Sequence, residues 1–137
     1  MDKQTKFAAY RVEEVFFKIR PVKENEKFTL SPKFTCSIRN GANDFTATLK
    51  VELGEGVSLE NTPFDLKVSL SGRFMRGDDV GTDRGRQLKL AVNTLFPYLR
   101  AFVSNLTANS GLPPFLLPFI DVDSMVENFR NEDIVYN

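Results

Sequence analysis

Residues 95 to 121 read LFPYLRAFVSNLTANSGLPPFLLPFID, and this stretch restricts the fold more than any other part of the chain. Pro97 stands inside a run with helical apolar spacing, Ser110-Gly111 ends that run, and residues 112 to 120 are apolar but interrupted by Pro113, Pro114 and Pro118. Each proline removes a backbone donor and fixes φ, and the residue before it is held out of the helical region. The segment therefore predicts an extended crossover that belongs to neither a helix nor a sheet. A path that apolar must be covered or must itself cover something, which points to a surface built to hold hydrophobic material.

The chain has 137 residues, so we expect a single domain, 1–137, with one core. Its 13 Phe and absence of Trp make the aromatic content nearly all hydrocarbon, suited to burial or to capture of apolar groups. Eighteen basic and eighteen acidic residues balance, so no long-range field favours nucleic acid or anionic lipid, and neither is expected as a partner. The single cysteine, Cys36, cannot close an internal disulfide, and without histidine the usual zinc and redox constellations are missing; neither metal nor cofactor is expected. The first ten residues lack the apolar core of a signal peptide, and no segment approaches the ~20 apolar residues that span a bilayer. These features predict a soluble, cytoplasmic protein with no direct membrane insertion.

Four strand-like runs come first, assigned to a sheet over 7–75. Phe28, Leu30, Phe34, Cys36 and Ile38 alternate with polar residues, as do Phe45, Ala47, Leu49, Val51 and Leu53, with a turn at Asn40-Gly41 between them. A further run sets Phe64, Leu66, Val68, Leu70 and Phe74 inward, with Gly72 as an expected bulge or bend, and pairs most simply with the run before it. In the first run Val15, Phe17 and Ile19 share one face, whereas Phe16 lies among Glu14, Lys18 and Arg20 and needs a second cover.

Thr82 or Asp83 can cap a long helix, 83–110, whose stripe of Leu88, Ala91, Val92, Leu95, Phe96, Leu99, Phe102, Val103 and Leu106 is wider than one sheet face requires. Pro97 should kink it. The crossover, 111–122, leads to a short helix, 123–131, capped by Asp121 or Asp123. The expected architecture is α+β: a four-stranded antiparallel meander with a long kinked helix, a proline-rich crossover loop and a short C-terminal helix on one face.

Chemistry is sparse. Cys36 has no histidine partner and faces inward, Asp78, Asp79 and Asp83 lack the spacing of a calcium loop, and the glycines at 77, 81 and 85 do not form a dinucleotide fingerprint. No enzyme is expected. An apolar groove remains, between the crossover (Leu112, Phe115, Leu116, Leu117, Phe119, Ile120), the last helix (Met125, Val126, Phe129) and the sheet, able to take extended polypeptide without reading its sequence. Simple closure of the core, an adaptor whose apolar surfaces only join like subunits, and a small-ligand pocket are the alternatives.

Leu95-Phe96-Pro97-Tyr98 with Arg100, then Gly111, the Pro113–Pro118 crossover and Ile120-Asp121-Val122-Asp123 before Met125 resemble the SecB family of protein-export chaperones. The match is sharpest over 95–129, and the order of elements extends it more weakly over 7–94. The resemblance implies a homotetramer, a dimer of dimers, which holds unfolded preproteins in the cytosol without a cofactor and passes many to SecA. It also implies that Leu112, Phe115, Leu117, Phe119, Val122, Met125 and Phe129 contact the client. Phe16 and the long-helix residues Leu95, Leu99 and Phe102 would form subunit contacts. The short stretch after Arg130 and the neutral charge depart from SecA-dependent, acidic members, and relatives that protect the antitoxin of a toxin–antitoxin pair are the other implied kind; both remain open.

Overall fold

Strict alternation builds the centre of the sheet. The computed structural model describes residues 3–21, 30–54, 62–118 and 120–131, the last four by backbone alone. Strand β3 (Asp44–Leu53) buries every second side chain from Phe45 to Leu53, and β4 (Phe64–Met75) buries Phe64, Leu66, Val68, Leu70 and Phe74 on the same face. Both are central strands, paired antiparallel in the register Leu49↔Leu70. Strand β2 (Lys33–Asn40) joins β3 through the expected hairpin, with Cys36 opposite Leu49. Phe28 lies outside the described residues.

Strand β1 (Lys6–Ile19) pairs with β4, in the register Val15↔Val68, giving the order β1-β4-β3-β2. The sheet is four-stranded and antiparallel as expected, but the meander covers β2, β3 and β4 alone. The long connection from Ile19 to Lys33 lets β1 return to the far edge, a Greek-key order. Gly72 is not a bulge. The irregularities fall in β1, between Phe7 and Ala9 and between Val12 and Glu14, while Gly72 makes room for the helix: a Cβ there would sit 2.8 Å from Leu95 Cδ2.

Helix α1 (Arg84–Asn109) starts where the Asp83 carboxylate accepts the Arg86 N–H at 3.0 Å. Its stripe of Leu88, Ala91, Val92, Leu95, Leu99 and Val103 is wholly buried, and Pro97 faces solvent within an uninterrupted helix. Each such leucine contributes roughly 1.5–3 kcal/mol by leaving water. Gln87, also buried, is held by an amide pair: its Nε2 donates to Asn40 Oδ1 at 2.8 Å and to the Gly81 carbonyl at 2.9 Å. Arg76 Nη1 donates to the same Asn40 oxygen at 3.0 Å, so the start of α1, the β2–β3 turn and the end of β4 are tied together.

Candidate functional site

The site is built where α1 stops. Gly111 takes φ +90°, and the helix closes with Leu112 N–H on the Thr107 carbonyl at 3.2 Å and Gly111 N–H on Ala108 at 3.3 Å, a Schellman motif. Pro113 and Pro114 bring no donor, so the next backbone N–H is that of Phe115. It is accepted by the hydroxyl of buried Thr107 at 2.8 Å, and that hydroxyl donates onward to the Val103 carbonyl at 3.0 Å. Two residues later Leu117 is fully buried. The crossover is thus fastened at 115 and 117, which turns Leu116 outward with 58% of its surface exposed. Beyond it, the Asp121 carboxylate accepts the Ser124 N–H at 3.2 Å and the Ser124 hydroxyl at 2.9 Å, starting helix α2 (Val122–Asn131). These donors hold the Asp121 carboxyl below its ordinary pKa.

Of the residues expected to meet a client, Leu112, Phe115, Val122 and Met125 are half-buried, each packed on the core with one side toward solvent. Phe115 lies 5.8 Å from the Phe64 ring, which lies 5.4 Å from Phe17 on β1. Leu117 is corrected: its side chain is a core anchor with no surface left for a client. Phe119 and the Phe129 side chain lie outside the described residues. The depression beside the crossover, about 560 Å³, runs between Leu116 and the outer flank of α1 at Phe96, Pro97, Arg100, Ala101, Ser104 and Asn105. The expected walls were α2 and the sheet.

The expected interface residues divide as well. Leu95 and Leu99 are fully buried under α1 within one chain, because the sheet itself takes the centre of the helix stripe; neither reaches a surface that another subunit could touch. Phe102 is half-buried. Phe16 is 48% exposed on the polar side of the sheet, opposite Lys67.

Sequence reasoning missed the apolar flank of β1. Helix α1 rests mainly on β2, β3 and β4 and meets β1 through Tyr98, whose ring lies 4.4 Å from Tyr10. The core-side residues Tyr10, Val12, Val15 and Ile19 are consequently left exposed along a sheet edge. The signal was a slip in phase, apolar at 10 and 12 and then at 15, 17 and 19, which the extra residue at Glu13 produces. Thr107 was also missed; it holds an apolar-stripe position, and its task follows from the absence of donors at 113 and 114.

The described residues contain no group of three potential metal ligands, and burial pushes the Cys36 thiol up to about 12, far from thiolate chemistry. What the arrangement offers is apolar contact area on a rigid frame. No described helix is long and apolar enough to cross a membrane.

These features define an α+β protein in which a proline-stiffened crossover is strapped along a long helix and displays apolar side chains. The model of the family described as preprotein translocase subunit SecB matches residues 23–132, and the chain belongs to that family. An uncharacterized protein of Methanocaldococcus jannaschii is 35% identical over 131 residues, covering 91% of this chain and 84% of that protein. The Mycobacterium tuberculosis Rv1957 SecB-like chaperone, solved with a ChAD peptide from the Rv1956 HigA1 antitoxin, superposes with a TM-score of 0.67 at 16% identity, over 85% of this chain and 90% of that one. At that identity the likeness is one of fold.

Proposed function

We propose that this protein is a molecular chaperone that holds non-native polypeptide segments against the apolar surface around its crossover. The observation that carries this reading is the outward Leu116 between two fastened residues, Phe115 and Leu117, beside an open depression along α1. Core filler would turn inward; here prolines and the Thr107 bond hold an apolar side chain in water. Half-buried Leu112, Phe115, Val122 and Met125 extend the surface, and Phe119 and Phe129 are included on the family resemblance. An extended chain can be gripped there by contact area with little sequence preference.

The working form in this reading is a homotetramer in the cytosol, a dimer of dimers. The exposed β1 edge, with Tyr10, Val15 and Ile19 uncovered, supplies one self-complementary surface, with Phe16 at its margin, and the outer flank of α1 around Phe102 supplies the other. Clients are preproteins awaiting export, with SecA as the recipient. A second reading, a dedicated guardian of one antitoxin, is favoured by the fold shared with a chaperone solved with an antitoxin peptide. Neither requires a covalent step or a cofactor.

Suppression of aggregation of a denatured polypeptide tests the proposal. Leu116→Ser, which removes no core contact, is expected to weaken suppression several-fold at unchanged circular dichroism. Suppression equal to that of the parent protein would remove the crossover from the mechanism. Titration with one antitoxin peptide against a set of unrelated unfolded proteins separates the dedicated from the general reading.

A further inference from the structure

The β2–β3 turn carries the chain's one Asn-Gly pair, Asn40-Gly41, and the fold calls for both residues. Buried Gln87 needs a partner that gives and accepts at once: Asn40 Nδ2 donates to Gln87 Oε1 at 3.3 Å, while Asn40 Oδ1 accepts from Gln87 Nε2 at 2.8 Å. Position 41 has no room for a side chain. A Cβ there would sit 2.3 Å from Oδ1 of Asp44, whose other oxygen is held by Arg73 at 2.8 Å. Yet the pair is chemically reactive, because a glycine nitrogen is unshielded and its backbone is free to turn. In an open chain the Gly41 nitrogen loses its proton to hydroxide, attacks Asn40 Cγ and expels the side-chain nitrogen as ammonia. Water then adds to either carbonyl of the resulting cyclic imide and breaks one C–N bond, leaving aspartate or its β-linked isomer, isoaspartate.

Asn40 and Gly41 are both exposed, so water reaches them and burial protects neither. Protection is conformational. Asn40 is the last residue of β2 and is paired with Phe45 across the hairpin. Extended backbone turns the following nitrogen away from a residue's own Cβ, whereas ring closure needs the two eclipsed. The Gly41 N–H is also engaged, donating to the Asp44 carbonyl at 2.8 Å. Gln87 holds the Asn40 amide from the α1 side, and Arg76 fixes the rest of the turn. Its Nη1 donates to Asn40 Oδ1 at 3.0 Å, its Nη2 to the carbonyls of Gly41 and Ala42, and its backbone N–H to the Asn43 carbonyl at 2.9 Å. The two donors on Asn40 Oδ1 polarise that carbonyl and would hasten attack were the nitrogen in reach, so geometry sets the direction here. We propose that Asn40 is a spontaneous self-modification site, kept shut by the native seam between the β2–β3 turn and α1 and converted when that seam opens. Reclosing does not undo the change: the carboxylate has no hydrogen for Gln87 Oε1, and the isomer adds a backbone carbon within the turn. Conversion thus marks chains in which this end of the fold has opened, independently of client holding.

Peptide mapping by mass spectrometry tests this, following amide-to-acid conversion and the isoaspartyl form at Asn40 in full-length protein held at mildly alkaline pH. Parent protein denatured in guanidinium is expected to convert at least about tenfold faster than folded parent in the same buffer, since conversion follows the open population. In the folded state Arg76→Met and, separately, Gln87→Met are expected to speed conversion by about threefold or more, with circular dichroism unchanged. Arg76 is only half-buried, so its variant keeps the test intact if removing the buried amide prevents folding. Asn109, which precedes Ser110 at the far end of α1, is the internal reference and should convert at the parent rate in both variants. Chains converted while denatured and then refolded should exchange the Gly41 amide faster than unconverted chains treated alongside. Rates within about twofold of each other in folded and denatured parent would overturn the proposal, as would faster conversion in the folded protein or folded variants that convert no faster than the parent.

Discussion

Replacing Thr107 by valine keeps the volume of a fully buried side chain and removes one oxygen. That oxygen accepts the Phe115 N–H at 2.8 Å and donates to the Val103 carbonyl at 3.0 Å. Val103 is inside the helix, so losing the second contact costs little. Phe115 is different, because the two preceding residues are prolines and its amide is the first the crossover can use after Leu112. Leaving that part-buried donor without a partner costs about 1–3 kcal/mol, less the small gain from no longer burying a hydroxyl, so a net of about 1–2 kcal/mol is expected. Because the crossover is attached to the rest of the fold at few points, the loss falls on local opening. Native-state hydrogen exchange at the Phe115 amide should accelerate about five- to thirty-fold, while amides of β3 and β4 exchange as before. Retention of client by the variant should fall with it, since Leu116 is aimed outward by this bond and by Leu117. Unchanged exchange at Phe115 would refute the reasoning, and acceleration throughout the sheet would show that the bond supports the whole core.

Gly72→Ala places a methyl 2.8 Å from Leu95 Cδ2 and should destabilise the fold by about 1–3 kcal/mol in urea melts. Asp121→Ala removes the cap of α2 and should cost about 1 kcal/mol, seen as reduced helicity and reduced protection from 122 onward with little change in the sheet. The Cys36 thiol, raised by burial to about 12, should resist alkylation at pH 8 until the protein unfolds. Since the unfolded thiol ionises near its ordinary 9.0 and the folded one does not, its contribution to stability is complete below pH 9 and is lost as the pH rises toward 12. Protection by denaturant titration that grew over that interval would contradict the assignment.

Much of this was legible in the chain. The ends of α1 could be placed because Asp83 is a good cap and Ser110-Gly111 permits the left-handed turn that ends a helix, both local effects. The faces of β3 and β4 followed from alternation. What local pattern does not contain is partner choice: nothing in residues 6–19 says that they pair with β4 and not β2, and that pairing leaves the β1 flank uncovered. The same gap explains Leu95 and Leu99. A broad helical stripe can be divided between sheet and subunit in several ways, and here the sheet takes its middle. In the crossover, the choice between Leu116 and Leu117 as the outward residue rests on a side-chain bond from Thr107, eight positions before Phe115 in the chain.

The central claim is that the crossover presents apolar side chains to non-native chains. It is tested most directly by incorporating a photo-reactive amino acid at position 116 and, separately, at Ala108, which is also exposed, then irradiating each protein with a denatured polypeptide. Strong cross-linking from 116, weak cross-linking from 108 and competition by unlabelled denatured chain are the predicted result. Equal yields from the two positions, or none from 116, would contradict it.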